Sequence, residues 1–258
     1  MSVPHSGRDY PNWLVADACG GIESLEPLED PLVDRLAWRA IAAGHGAVVA
    51  QAPRAAIDCN RAPDEVDPTQ FVGWPHPCRS RRAAAGLGII PTRTASHGRL
   101  WRSSIRHDEL QRRISDAHAP FHGAIEQGLA RIAARHGAAV LLDCHSMPHR
   151  RGQAELVIGN RHGTSASPWL ADAAARIARA AGWTVALNAP YAGGHVVERH
   201  GDPLAGIHAL QLEIDRRCYL APDMRSPGPG FDRAADLMAN LAAQLGQLAE
   251  RQGLLAAE

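Results

Sequence analysis

The chain has 258 residues, with 27 Lys and Arg balanced by 27 Asp and Glu, so its formal charge is zero and gives no electrostatic case for nucleic acid or an anionic membrane. Hydrophobic residues make up 45% and aromatics only 5%, enough apolar material for a sizeable core and little for base stacking. No apolar run approaches the roughly 20 residues of a membrane span.

The N-terminus shows no basic segment followed by an apolar one, so no signal peptide is expected. The five cysteines, Cys19, Cys59, Cys78, Cys144 and Cys218, are scattered without a C-x-x-C pair. That argues against a disulfide framework or a Cys-rich zinc site and favours the reducing cytoplasm. The length fits one large α/β domain spanning 1–258.

In chain order, 2–10 offers an early turn. Residues 29–43 are predicted as a helix, with Leu32, Leu36 and Ile41 near helical spacing and Gly44 or Gly46 as the stop. Short strands are predicted at 47–52 and 55–61, the second ending in the polar pair Asn60-Arg61. Residues 64–86, interrupted by Pro68, Pro75 and Pro77, read as a long loop, a length that is usually functional or mobile. A strand at 87–91 is followed by the longest helical pattern, 108–135, which Pro120 can split or kink.

Gly137 hands over to the unbroken apolar run 138–142, which fits a parallel strand covered on both faces. It runs into Asp143, Cys144, His145 and Ser146, and open α/β sheets bind ligands at the carboxyl ends of such strands. Beyond it, 155–158 is a strand, 167–181 a helix with Pro168 in its first turn, 183–187 a strand and 188–194 a turn-rich loop. A strand at 207–214 and an amphipathic helix at 232–251 complete the pattern. Alternating helices and strands predict an α/β fold: a mixed, mainly parallel central sheet with helices on both faces.

Several apolar runs end in polar clusters: His5 after Val3-Pro4, Asn60-Arg61 after Ile57, Asp143 and His145 after the central strand. Glu213 lies inside an apolar strand between Leu212 and Ile214, a costly place for a carboxylate without a task or partner. Imidazole and carboxylate are ligands that zinc prefers, and a zinc ion with one open position both polarises a carbonyl and activates water. The spacing is not local, so pattern alone is weak. His145 can equally be a hydrogen-bonded core histidine, Glu213 a partner of Arg216 or Arg217, and Arg61 an ion pair with Asp58 or Asp64. Cys144 next to His145 points to the opposite face of a strand and is expected to be packed in the core. His107, His118, His122 and His136 are expected to be solvated.

Six blocks then run in order: Ser-Val-Pro-His-Ser-Gly at 2–7, Glu-Asp-Pro-Leu-Val-Asp-Arg-Leu at 29–36, Ile-Asp-Cys-Asn-Arg at 57–61, Leu-Leu-Asp-Cys-His-Ser-Met-Pro at 141–148, Pro-Tyr-Ala-Gly-Gly-His at 190–195 and His-Ala-Leu-Gln-Leu-Glu-Ile at 208–214. Together they resemble the N-formylglutamate amidohydrolase family, related in fold to the zinc carboxypeptidases, over nearly the whole chain to about residue 220. The resemblance implies one divalent metal, zinc by expectation, held by His5, Asp30 and His145, and a fuller strand ahead of His5. It implies that Glu213 moves the proton from water to the leaving nitrogen and that Asn60 and Arg61 clamp a substrate carboxylate. For a second carboxylate Arg150, Arg151 and Arg199 are candidates, and Gly193 and Gly194 can let backbone approach substrate or equally form a plain turn. The implied reaction is hydrolysis of N-formyl-L-glutamate, or a close N-acyl amino acid, to formate and L-glutamate in histidine degradation, with no nucleic-acid or membrane partner. The alternatives are a carboxypeptidase-like or other N-acyl amino acid hydrolase, and a non-catalytic small-ligand binding domain on the same fold.

Overall fold

The computed structural model of the chain describes residues 1–78 and 80–255. Two compact units are built from it: Met1–Val3, Asp30–Val48 and Ala124–Glu258 form one, and Pro4–Glu29 with Val49–Gly123 the other. Among the described residues the strands in chain order are β1 (Ser2–Val3), β2 (Val48–Val49), β3 (Arg93–Thr94), β4 (Gly98–Arg99), β5 (Ala139–Met147), β6 (Leu156–Gly159), β7 (Val185–Leu187) and β8 (Ile207–Asp215).

The first unit is organised on a six-stranded sheet of order β2-β1-β5-β8-β6-β7. β1 with β5, β5 with β8, and β6 with β7 are parallel, while β6 and β8 are antiparallel. The sheet is therefore mixed and mainly parallel, as expected. β5 and β8 run side by side without slip from Ala139 opposite Ile207 to Met147 opposite Asp215. Nearly every side chain of both strands is buried, whichever face it points to, so the sheet is covered on both sides. The helix Phe231–Leu255 packs on β5 and on the helix Pro168–Ala180, and His195–His200 packs on β5 and β8. Proline at the first turn and Gly182 just past the end delimit Pro168–Ala180 as the sequence predicts.

Three expectations in this unit change. β5 does not stop at Asp143 but carries Asp143, His145 and Ser146 within the strand. The helix predicted at 29–43 is broken into Val33–Leu36 and Trp38–Ala42. Pro31 disfavours helical geometry at Asp30, and Leu32 adopts a left-handed backbone, φ 61°. β2 is only two residues long, shorter than the predicted 47–52.

The second unit packs short helices and turns around Leu14, Leu25, Ile57, Ile89, Ile90, Leu100, Trp101 and Leu110. The strand predicted at 55–61 is a series of turns, with the amides of Ala56 and Ile57 both donating to the Pro53 carbonyl. The 87–91 strand reduces to a single bridge between Leu87 and Pro91. Residues 64–86 are largely irregular, as expected, apart from the 3-10 turn Pro68–Gln70 and the helix Arg81–Ala84. The long helix is continuous from His107, but Ile114–His118 is a π turn just before Pro120. Proline offers no N–H and crowds the carbonyl four residues back, and a widened turn relieves both.

Candidate active site

In the first unit, strand periodicity builds the site. Residues two apart on a strand share a face, and register partners on a neighbouring parallel strand share it too. Asp143 and His145 on β5 therefore stand beside Gln211 and Glu213 on β8. Cys144 lies on the opposite face, wholly buried, and burial pushes its thiol up to about 12. It is a core residue, as expected, and far from a thiolate nucleophile.

His145 is buried and bridged at both ring nitrogens. Nε2 lies 2.8 Å from Asp143 Oδ2 and Nδ1 lies 3.1 Å from Asp30 Oδ2. The other Asp143 oxygen accepts from the Ser2 hydroxyl at 2.8 Å. Burial alone would lower the imidazole pKa, but the carboxylates of Asp143, Asp30 and Glu213 outweigh it and hold it well above its ordinary value. Asp30 Oδ1 accepts from Ser146 Oγ and Arg216 Nη2, both at 3.2 Å. Glu213 accepts from Gln211 Nε2 at 2.9 Å. Close by, burial raises the phenol pKa of half-buried Tyr191; the Glu213 charge raises it further and Arg150 and Arg216 oppose it.

In the second unit, two predicted residues, His5 and Asn60, gather on Asp58 together with Arg54. His5 Nε2 lies 2.7 Å from Asp58 Oδ1, the Asn60 amide donates to that oxygen at 2.8 Å, and Arg54 Nε donates to Oδ2 at 2.8 Å. Burial would raise the Asp58 pKa, yet Arg54, His5 and Arg61 hold it well below the usual carboxylate range. Arg61 is buried and donates Nε to the Leu87 carbonyl and Nη1 to the Asn60 carbonyl. Its guanidinium is thus held by backbone carbonyls while its charge acts on Asp58. Glu29 accepts from the Tyr10 hydroxyl, which separates its role from that of its neighbour Asp30.

The described residues thus include histidine and aspartate groups able to hold a metal ion, with His145 and Asp30 in one unit and His5 in the other. In both histidines Nε2 lies within hydrogen-bond distance of an aspartate oxygen, so a tautomer that donates from Nε2 has its Nδ1 lone pair free for a metal. Carboxylates that orient histidines in this way are the usual support of metal ligands. An imidazole beside a carboxylate, as at His145 and Asp30, is also a donor pair that suits a divalent ion.

A model of the N-formylglutamate amidohydrolase family matches residues 1–220. The chain belongs to this family. The crystal structure of N-formylglutamate amidohydrolase from Ralstonia eutropha JMP134 superposes with a TM-score of 0.87 at 32% identity, covering 97% of this chain and 94% of that one. The N-formylglutamate deformylase of Pseudomonas aeruginosa is 28% identical over 261 residues, covering 97% of this chain and 90% of the relative. That of Pseudomonas putida is 29% identical over 231 residues, covering 85% and 80%.

The remaining family-implied residues are placed as follows. Arg150 is exposed on the segment after β5. Arg199, in the last turn of His195–His200, lies 3.8 Å from Glu126. Gly193 has φ 131°, and a Cβ there would meet Val197 and Arg161, so a glycine is required locally. Gly194 donates its N–H to the Gln211 side chain.

Two histidines expected to be solvated are not. His118 and His122 are buried, and each ring places Nε2 at 2.9 Å from a backbone carbonyl, of Arg61 and Cys59 respectively. They hold the turn that carries Asn60 and Arg61, and their four-residue spacing on a helix was the available signal. Sequence reasoning also gave no role to Gln211 or Tyr191, and weighed Asp58 only as an ion-pair partner of Arg61. The i, i+2 pairs Asp143/His145 and Gln211/Glu213 could have been read from strand alternation.

Proposed function

We propose that this protein is a metal-dependent amidohydrolase that removes the formyl group from N-formyl-L-glutamate or a close N-acyl amino acid. The reading makes 1–258 a single catalytic domain acting in the cytoplasm, in histidine degradation. Family membership and the activity for which its relatives are named support the substrate. The observation that carries the chemistry is His145, buried, with Nε2 committed to Asp143 and Nδ1 turned to Asp30, and with Glu213 at its register position on β8.

His5, Asp30 and His145 are the proposed ligands of a divalent ion, zinc by donor type. Such an ion, when bound, polarises a carbonyl and lowers the pKa of water. Asp58 and Asp143 keep the proton on Nε2 of their histidines. Glu213 takes a proton from the attacking water and returns it to the amide nitrogen as the C–N bond breaks, giving formate and a free amino group. Arg61, held by two backbone carbonyls, presents a fixed plane to a substrate carboxylate, with Asn60 beside it. Arg150 and Arg199 are the cations proposed for the second carboxylate, and Gly193 and Gly194 line the approach. No helix among the described residues is long and apolar enough to cross a membrane, and neither membrane nor nucleic acid is proposed as a partner.

Formate release from N-formylglutamate, with N-acetylglutamate and a C-terminal dipeptide as competitors, tests the reaction. Turnover should be lost on chelation and return with added zinc. His145→Ala should lose the ion together with at least a 1,000-fold share of kcat. Faster release of acetate, or of a C-terminal amino acid, would move the protein to one of the other hydrolase classes, and a metal-free preparation indifferent to zinc would leave only a binding domain.

A further inference from the structure

The loop between β7 and the helix His195–His200 is seated on the sheet. Arg161 N–H donates to the Ala192 carbonyl at 2.7 Å, and a Cβ on Gly159 would come within 2.6 Å of the Ala192 backbone. Gly159 is the β6 partner of Gln211 on β8. Gln211 is 4% exposed. Its Oε1 accepts the Gly194 N–H at 2.7 Å and its Nε2 donates to Glu213 Oε1 at 2.9 Å. A backbone N–H can only donate and an ionised carboxylate can only accept, so the amide has one self-consistent orientation. A flip would break both bonds.

We propose that Gln211 is a positioning residue, whose single amide holds the Glu213 carboxylate in place and ties it to the loop of Gly193 and Gly194. This deepens the function proposed above and rests on it. The two ends differ in kind. One fixes the group that moves the proton; the other fixes backbone beside which the substrate is proposed to lie. Because Gln211 touches neither substrate nor water in this scheme, its effect must pass through Glu213 and the loop. Its place two residues before Glu213 on one strand face is what allows an amide side chain to reach both.

Gln211→Met keeps the volume and removes both bonds. Formate release by Gln211→Met should fall at least tenfold in kcat, with KM within about threefold and bound metal unchanged. In a Glu213→Asp background, whose shortened carboxylate has left the reach of the amide, the same substitution should cost less than about twofold more. An equal factor in both backgrounds, or an unchanged kcat in the first, would overturn the proposal. Hydrogen exchange gives a readout independent of turnover and needs no variant. The Gly194 amide should be protected in the native protein, and exchange as fast as that of an open loop would also overturn it. Wild-type protein silent toward N-formylglutamate would defeat the function proposed above, whereas Gly194 protection, and its loss in Gln211→Met, would still decide the tether.

Discussion

At the scale of single residues, Asp143 shows how a carboxylate can matter without touching substrate. It accepts two donors, the Ser2 hydroxyl on one oxygen and His145 Nε2–H on the other. An asparagine can keep its oxygen toward the ring, with its NH2 group donating to the Ser2 hydroxyl, but it then lacks the charge that makes the imidazole a stronger ligand; the reverse orientation costs more. With its NH2 group toward the ring, the His145 proton must move to Nδ1, the edge that faces Asp30, and that edge can no longer bind a metal. Asp143→Asn should therefore weaken metal binding by about 10- to 100-fold while the fold is kept. Competition against a chelator of known affinity measures this, and an unchanged affinity would mean that Asp143 supports the ring through neither its charge nor the tautomer. Asp58 plays the corresponding part for His5 in its own unit. Neither carboxylate was distinguishable by residue type, because the chain has many aspartates. Asp143 stands two residues from His145 on one strand face, but for Asp58 only the pairing seen in three dimensions separates it from solvated aspartates.

At the scale of elements, the parts that could be read in the sequence were those whose local and tertiary demands agree. The run 138–142 is apolar throughout because both faces of β5 are buried, and the 167–181 helix carries its own start and stop signals. The misread parts are those where tertiary packing overrode local pattern. The apolar stretch around Ile57 looked like a strand, but it is a set of turns pressed into the second unit's core. The 29–43 pattern looked like one helix, but Pro31 and the left-handed Leu32 break it and leave Asp30 outside, facing His145. The candidate site was legible through its motifs, and the i, i+2 pairs Asp143/His145 and Gln211/Glu213 could have been read with it, whereas supports that join distant parts of the chain, such as Ser2 to Asp143 and His5 to Asp58, leave no local trace. The loop on Gly159 is one such support. A Cβ there would have to displace the backbone of Ala192 or the sheet beneath it. Gly159→Ala should lower stability by about 1–3 kcal/mol, the usual cost of overpacking. It should also lower kcat/KM by more than a surface Gly→Ala such as Gly246→Ala, where nothing lies nearby. Equal behaviour of the two variants in melting and turnover would show that the loop yields freely.

At the scale of the whole molecule, zero net charge near neutrality leaves the pH dependence of stability to individual buried groups and not to general repulsion. His200 is the clearest of them. Burial, with Arg199 and His195 adding, lowers its pKa from 6.5 to about 4 against the opposing charge of Asp143; burial moves His208 the same way. A histidine whose folded pKa is depressed contributes its full stability above the unfolded value. That contribution is lost as pH falls from about 6.5 toward 4, because the unfolded chain takes up the proton first. The loss for His200 is at most about 3 kcal/mol. Metal-free His145 works in the opposite sense: its raised pKa gives stability that is complete below 6.5 and fades as pH rises through the folded value. The net curve of the protein therefore mixes signs, and the difference between two proteins is the cleaner quantity. His200→Gln removes one titration and leaves the others. The gap in denaturation midpoint between His200→Gln and wild type should be constant above pH 7 and should shift steadily in favour of the variant between pH 6.5 and 4. Parallel curves across that interval would show that His200 titrates alike in the folded and unfolded chain.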